Sequence, residues 1–158
     1  MSFIHLHVHS NHSHLRSTLH AAEIPILAKK HNMSAVAITD LNTIAGAIMF
    51  YKACKDLGIK PIIGAQIDDQ KTKKSIILLA KNQQGYNQIC KTITLRRLDT
   101  NFSLIQTIKQ LSTNVIILTP YKEILTLAHS LNKHTFLEIT DNNKACSPLD
   151  THTAPQKV

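Results

Sequence analysis

The stretch AVAITDLNTIAGAIMFYKACKDLGIKPIIGAQI, residues 35–67, predicts a strand, a helix and a second strand in succession. Its first four residues, Ala35–Ile38, are an unbroken apolar run, which is typical of a strand buried on both faces. Apolar and small side chains then recur at helical spacing as far as Cys54, and Gly58 stands where a helix needs a left-handed terminus. Residues 61–67 form the second apolar run. This unit predicts an α/β fold.

The same alternation of strands and helices extends outward from this unit. Further strands are predicted over residues 3–8, 75–80, 115–118 and 135–139, and further helices over 22–31, 86–93, 104–111 and 120–131, the last with Thr119 as N-cap and Pro120 at its first position. Such alternation favours a parallel sheet, and six strands are too few for a closed eight-stranded barrel. We therefore expect one domain over residues 1–140, built on an incomplete barrel or open sheet, and a polar, disordered tail over residues 141–158.

Composition indicates the cellular compartment and the classes of binding partner to expect. Lysine and arginine number 18 against 10 aspartates and glutamates, a net charge of +8, which favours polyanionic partners or a solvated basic surface. No apolar run approaches the roughly 18 to 20 residues of a membrane span, and no signal peptide opens the chain, so we expect a cytoplasmic protein without membrane contacts. The three cysteines, Cys54, Cys90 and Cys146, form no C-x-x-C pair, which argues against a disulfide framework and a zinc ribbon.

Histidines concentrate near the N-terminus, where six of the ten lie within the first twenty residues. In a regular strand His5, His7 and His9 share one face, and Leu6 and Val8 take the other. Imidazoles at this spacing can chelate one metal ion, and the alternative is an edge strand whose histidines contact solvent. The other polar groups predicted at carboxyl ends of strands, where sites of parallel sheets form, are Thr39, Asp40, Gln66 and Asp68.

Three segments resemble one known family. They are FIHLHVHSNHSHL (residues 3–15), the stretch quoted above (35–67) and IILLAKNQQGYNQICK (76–91), and they are similar to the PHP (polymerase and histidinol phosphatase) domain as it stands at the N-terminus of the bacterial DNA polymerase III alpha subunit. The likeness covers residues 3–97 well and the rest loosely. It implies a PHP-type distorted (β/α) barrel of seven strands and a place in chromosome replication. In active members it implies a three-metal phosphoesterase centre.

The resemblance carries over the family's metal ligands only in part. His5 and His7 match its first ligand pair, and Asp40 matches the aspartate of its T-D-H motif. Three other ligand positions, an aspartate, a histidine and a glutamate in the family, are Arg16, Leu41 and Gln66 here, and residues 136–143 end in asparagines where a late histidine is expected.

These replacements weaken metal binding. A leucine binds no metal, a glutamine offers a neutral oxygen, and an arginine repels a divalent cation. We expect a degraded centre without a tightly bound cofactor and without hydrolysis. The alternative is one Zn or Mn ion at low occupancy on His5, His7 and Asp40, with His9 or His14 as further ligands.

Three functions follow from these patterns. The first is a structural or interaction module of a replicative polymerase, or its truncated remnant, whose partners are other replication proteins or the rest of the polymerase. The palm of that polymerase lies beyond its PHP domain, so we expect this chain not to polymerise DNA alone. The second is a metal-dependent phosphoesterase with an atypical ligand set that recruits His9, His12 or His14. The third is a basic DNA- or RNA-binding domain without an aromatic stacking platform, whose phosphate contacts are Lys71, Lys73, Lys74, Arg96 and Arg97.

Overall fold

The computed structural model describes residues 3–131 and 133–139. Over these ranges the chain forms five helices and five strands, which alternate except at β2–β3 and α3–α4, and this confirms the predicted α/β class. The elements in chain order are α1 (Ile24–Lys30), β1 (Ala35–Ile38), α2 (Ala47–Leu57), β2 (Lys60–Asp68), β3 (Ser75–Ala80), α3 (Gln83–Leu98), α4 (Leu104–Gln110), β4 (Val115–Thr119), α5 (Lys122–Ser130) and β5 (His134–Leu137). The tail predicted over residues 141–158 lies outside the described residues, and the extent of the domain stays a prediction.

The strands form a mixed sheet in the order β1-β2-β3-β4-β5. The pairs β1–β2 and β4–β5 are parallel, whereas β3 runs antiparallel to both of its neighbours, so the prediction of an all-parallel sheet is wrong for β3. A six-residue turn between β2 and β3 is too short for a parallel crossover, which requires a dozen residues or more. The carboxyl ends of the other four strands therefore share one mouth with the start of β3.

Residues 3–9, which we call the N-terminal segment, lie alongside β1. The backbone N–H of Ala37 donates to the carbonyl of His5 at 2.9 Å, and that of Thr39 donates to the carbonyl of Val8 at 2.8 Å. A bend at Leu6 interrupts the predicted regular strand. Leu6 packs in the inner cluster with Ala37, but Val8 packs with the side chains beneath α1 and α2. The prediction that Leu6 and Val8 share one face is wrong, because the bend breaks the two-residue period.

Helices cover the outer face of the sheet, and an apolar cluster occupies its inner face. The buried members of the inner cluster are Ala37, Ile77, Leu79 and Leu118. The N-terminal segment and β5, at opposite ends of the strand order, both line a cavity of about 1220 Å³. The sheet therefore curls toward a barrel without closing, as the incomplete barrel predicted from the sequence requires.

Two local predictions concern α5 and the cysteines. Helix α5 begins at Lys122, two residues later than predicted, and Thr119 ends β4. Its Oγ1 accepts from the N–H of Tyr121 at 3.2 Å, so Thr119 stabilises the turn before the helix rather than the helix itself. Cys54 and Cys90 are free thiols, and burial raises the pKa of Cys54 to about 11. Within the described ranges no helix is long and apolar enough to cross a membrane.

Candidate functional site

The side chains of His7 and His9 meet at the mouth of the curled sheet. Their Nε2 atoms are 3.2 Å apart, and the ring centroids are 4.9 Å apart at an angle of 74°. The other ring nitrogen of His7, Nδ1, lies 2.6 Å from Oε1 of Glu138, which follows β5. A carboxylate accepts the Nδ1–H of an imidazole, and in that tautomer a neutral ring presents Nε2 as the acceptor for an Nε2–H of its neighbour.

The spacing of this pair is close to that of two ligands on one ion. Two imidazole nitrogens bound tetrahedrally at 2.0–2.1 Å lie about 3.4 Å apart. His5 is placed differently, because its exposed ring packs edge-on against Phe3 with centroids 4.8 Å apart. The pKa of His9 is lowered, mainly because burial disfavours the charged ring and next because His7 lies beside it. The bend at Leu6 thus separates His5, which lies against Phe3, from the pair of His7 and His9.

Asp40 lies directly after β1 and is 1% exposed. Its Oδ1 accepts from the backbone N–H of Ser10 and from the hydroxyl of Ser13, each at 2.6 Å, and its Oδ2 accepts from the hydroxyl of Ser10 at 2.7 Å. The Ser13 hydroxyl in turn accepts from the N–H of Leu41 at 3.0 Å. Asp40 therefore anchors the histidine loop, residues 9–16, to the end of β1.

The three positions that depart from the family pattern lie around this mouth. Gln66 is 8% exposed and donates from Nε2 to the hydroxyl of Ser75 at 2.9 Å, while its Oε1 is buried without a hydrogen-bond partner in the described part of the chain. Leu41 forms an isolated β-bridge with Gln66, and Arg16 is exposed. The positive charge of Arg16 contributes the smallest of the effects on the pKa of His9.

The remaining histidines of the loop lie on another wall. His12 and His14 line a cavity of about 380 Å³ together with Arg97, and Nε2 of His12 is buried there without a hydrogen-bond partner among the described residues. Across residues 3–131 and 133–139, no three histidine, cysteine, aspartate or glutamate side chains are placed to share one metal ion. The donors present do not fit a three-metal centre. The carboxylate of Asp40 is hydrogen-bonded to Ser10 and Ser13, and that of Glu138 is hydrogen-bonded to His7. The side chains of His7 and His9 remain as a pair of possible ligands for a single ion.

The five basic residues predicted to contact nucleic acid lie on the β2–β3 turn and the last turn of α3. Four of them have partners within the chain: Arg96 bonds to Asp68 (Nη2 to Oδ1, 2.6 Å), Lys74 pairs with Glu123, Lys71 donates to Asn101, and Arg97 donates to the carbonyl of Asn42. Lys73 is exposed, with a φ of 60°. The carboxylates of Asp68 and Glu123 offset the charges of Arg96 and Lys74, whereas the partners of Lys71 and Arg97 are neutral. Contact of this surface with nucleic acid stays a prediction.

Sequence reasoning missed Ser10, Ser13 and Glu138. The sequence gives only a weak signal for the serines. Two hydroxyls three residues apart can bind one carboxylate only if the histidine loop folds back onto the end of β1. Glu138 carried a stronger signal, because it lies near the carboxyl end of the last predicted strand, and the carboxyl ends of parallel strands meet at the mouth that holds His7.

Fold and site together define an α/β protein with an open, barrel-like sheet and an imidazole–carboxylate cluster at the carboxyl ends of its strands. Residues 5–145 match the family model of the PHP domain, so this chain belongs to the PHP domain family. The resemblance drawn from the sequence is thereby confirmed.

Curated proteins and one solved structure are similar to this chain. The chain is 43% identical over 110 residues to the DNA polymerase III subunit alpha of Borreliella burgdorferi, covering 61% of this chain and 10% of that protein. It is 41% identical over 96 residues to the same subunit of Bacillus subtilis, covering 58% of this chain and 9% of that protein. The chain thus spans about a tenth of the length of these curated relatives. A solved amidohydrolase from Chromobacterium violaceum matches with a TM-score of 0.49 and 20% identity over 58% of this chain and 32% of its own.

Proposed function

We propose that this chain is a structural and interaction module of the replication machinery, derived from a polymerase PHP domain whose metal site has been converted into a structural site. Its partners are then other replication proteins or the rest of a polymerase, and its compartment is the cytoplasm. The relationship to DNA polymerase III subunit alpha supports the replication context. The observation that best supports a chain without hydrolytic activity is the hydrogen bonding of Asp40. Its two carboxylate oxygens accept three hydrogen bonds from Ser10 and Ser13.

The energetics of Asp40 support this proposal. A hydrogen bond to a charged group contributes about 1.5–3 kcal/mol, so a metal ion that recruits this carboxylate has to replace several such bonds. The ion gains little in exchange, because Leu41 offers no donor and Gln66 offers a neutral oxygen. Asp40 therefore stabilises the histidine loop more effectively than it would bind an ion.

Elemental analysis together with a hydrolysis assay tests the proposal. We expect the purified chain to hold less than one zinc or manganese ion per molecule. We also expect hydrolysis of bis(4-nitrophenyl) phosphate to stay at the rate of the protein-free control, with and without added Mn²⁺. Three tightly held metal ions per chain, or hydrolysis that a chelator removes, would contradict it.

A second candidate function, a metal-dependent phosphoesterase with an atypical ligand set, is favoured by one observation. The 3.2 Å between Nε2 of His7 and Nε2 of His9 is close to the spacing of two ligands on one ion, and Glu138 orients His7 as carboxylates orient metal-binding histidines. For this function, His7→Ala and His9→Ala must lower metal content and hydrolysis in parallel. The matched control is His20→Ala, an exposed histidine of the same N-terminal region.

A further inference from the structure

We propose that the cavity lined by His12, His14 and Arg97 binds a phosphate group directly, without a metal ion. The cavity measures about 380 Å³, which is large enough for a phosphate group together with part of the molecule that carries it. Neither His7 nor His9 lines this cavity. Phosphate binding here does not depend on the proposed function, which concerns metal-dependent hydrolysis and partner proteins.

The charge of the cavity favours an anion. The described residues that line it include no acid, and they are His12, His14, Leu41, Asn42, Thr43, Ala45 and Arg97. The two carboxylates nearest to this lining in the sequence and in the hydrogen-bond network already have partners, since Asp40 accepts from serines and Asp68 pairs with Arg96. A cleft whose charges share one sign attracts ligands of the opposite sign. Without a lining carboxylate to hold a cation, the anion has to be bound by the side chains themselves.

The guanidinium of Arg97 is held in place beside the cavity. Its Nε donates to the backbone carbonyl of Asn42 at 3.2 Å. Asn42 is itself fixed, because its backbone N–H donates to the carbonyl of Gln66 at 2.7 Å and its Nδ2 donates to Oδ1 of Asp68 at 2.7 Å. Among the described residues no carboxylate pairs with Arg97, and its two terminal NH₂ groups have no acceptor. These groups can donate in parallel to two oxygens, as guanidinium groups do to phosphate.

His12 contributes a buried nitrogen that lacks a partner. Its Nε2 is buried without a hydrogen-bond partner among the described residues, although buried polar atoms nearly always have one. The ring is positioned by Gly46, since a Cβ at Gly46 would lie only 2.8 Å from Cδ2 of His12. The backbone N–H of His12 donates to Oγ of Ser10 at 3.2 Å, which fixes the same residue from the other side. A phosphate oxygen in the cavity would supply the missing partner of an Nε2–H.

The number of donors favours phosphate over a carboxylate. The histidine loop supplies two imidazoles and the last turn of α3 supplies one guanidinium, so donors from two separate elements line one cavity. A phosphate monoester has three free oxygens and a charge of about −1.5 to −2, so that it can accept from all three side chains at once. A carboxylate has two oxygens, which the guanidinium alone would occupy.

NMR spectra of the histidine rings test the proposal on the full chain. Inorganic phosphate is added in the presence of EDTA, at constant pH and at an ionic strength matched with sodium chloride. The ring signals of His12 and His14 should shift, and those of His31 and His129, two exposed histidines that do not line the cavity, should not. Arg97→Gln should weaken phosphate binding about tenfold or more, because it removes charge-assisted bonds to two oxygens. His14→Ala, at an exposed position, should weaken it about threefold.

The matched control is Lys91→Gln, which removes one positive charge from an exposed position of the same helix and should leave phosphate affinity nearly unchanged. Circular dichroism establishes that each variant is folded. Shifts of His12 and His14 no larger than those of His31 would overturn the proposal. So would an equal loss of affinity in Lys91→Gln and Arg97→Gln, or phosphate binding that appears only when a divalent metal is added.

The phosphate group can belong to a small molecule or to the end of a nucleic-acid strand. The same titration with oligothymidylate, with and without a 5′-phosphate, distinguishes these sources. Tighter binding of the phosphorylated strand than of inorganic phosphate identifies a strand end, and equal affinity identifies a free phosphate compound; both results support the proposal. Equal binding of the phosphorylated and unphosphorylated strands, without shifts of His12 and His14, contradicts it.

Discussion

Replacing Asp40 with alanine should destabilise the fold by about 3–5 kcal/mol. Three bonds to one carboxylate, each taken at the low value of about 1.5 kcal/mol, together contribute about 4.5 kcal/mol and set the upper end of the cost. The true loss is smaller than their sum because the hydroxyls of Ser10 and Ser13 can rotate to other acceptors. The backbone N–H of Ser10 cannot turn away, and its burial without a partner sets the lower end. Asp40→Asn keeps one acceptor oxygen and the same shape, and should cost about 1–2 kcal/mol.

Urea unfolding gives these free energies by linear extrapolation. The measurement is made twice, once with a chelator and once with added zinc, and the loss should be the same in both because the anchor needs no metal. Asp56→Asn, an exposed carboxylate on α2, is the control and should change the free energy of unfolding by less than about 0.5 kcal/mol. A loss below about 1 kcal/mol for Asp40→Ala would refute the reasoning. A loss seen only with zinc would show that Asp40 acts as a metal ligand.

Three further predictions concern protonation and packing. Because burial lowers the pKa of His9, its NMR titration should have a midpoint below about 6.5, and stability should fall as the pH drops below that value, since the unfolded chain takes up the proton first. Burial raises the pKa of Asp69, but hydrogen bonds from three backbone N–H groups outweigh burial, so the pKa is lowered overall. The carboxylate therefore stabilises the fold above about pH 4, and this stabilisation is lost in more acidic solution. Asp69→Asn should make the free energy of unfolding, measured in urea, depend less on pH over that acidic range. Gly85→Ala should lower the free energy of unfolding by about 1–3 kcal/mol, because a Cβ there overlaps the backbone oxygen of Asn114, whereas Lys91→Ala on the exposed side of the same helix should have little effect in the same assay.

Much of the fold could be predicted because strong local patterns coincide with burial. The apolar run Ala35–Ile38 is buried at all four positions, and Gly58 adopts the left-handed conformation, φ 70°, that ends α2. The direction of β3 was missed although the signal was present, since only six residues separate β2 from β3 and such a turn can join only antiparallel strands. The start of α5 was missed because a threonine before a proline signals a helix start, and here it serves a turn at the end of a strand.

The candidate site was less predictable, because its chemistry depends on contacts between distant residues. Spacing in the sequence indicates that alternate histidines share a strand face, but the bend at Leu6 decides which of them meet. Asp40 was identified as a polar group at the end of a strand. Its role could not be read from the sequence, because the serines that occupy its oxygens lie in a loop about thirty residues earlier. Glu138 is further away still.

The bond between His7 and Glu138 has a consequence for the order of folding. It joins residues 131 positions apart, near the two ends of the described chain. Closing so long a loop in an unstructured chain costs about 4 kcal/mol of entropy, which one partly buried hydrogen bond does not recover. Once the β1–β5 sheet has curled, however, the two ends are already adjacent, and the contact requires little further loss of chain entropy. We therefore expect the contact to form after the rate-limiting step, so that its loss speeds unfolding and leaves the folding rate nearly unchanged.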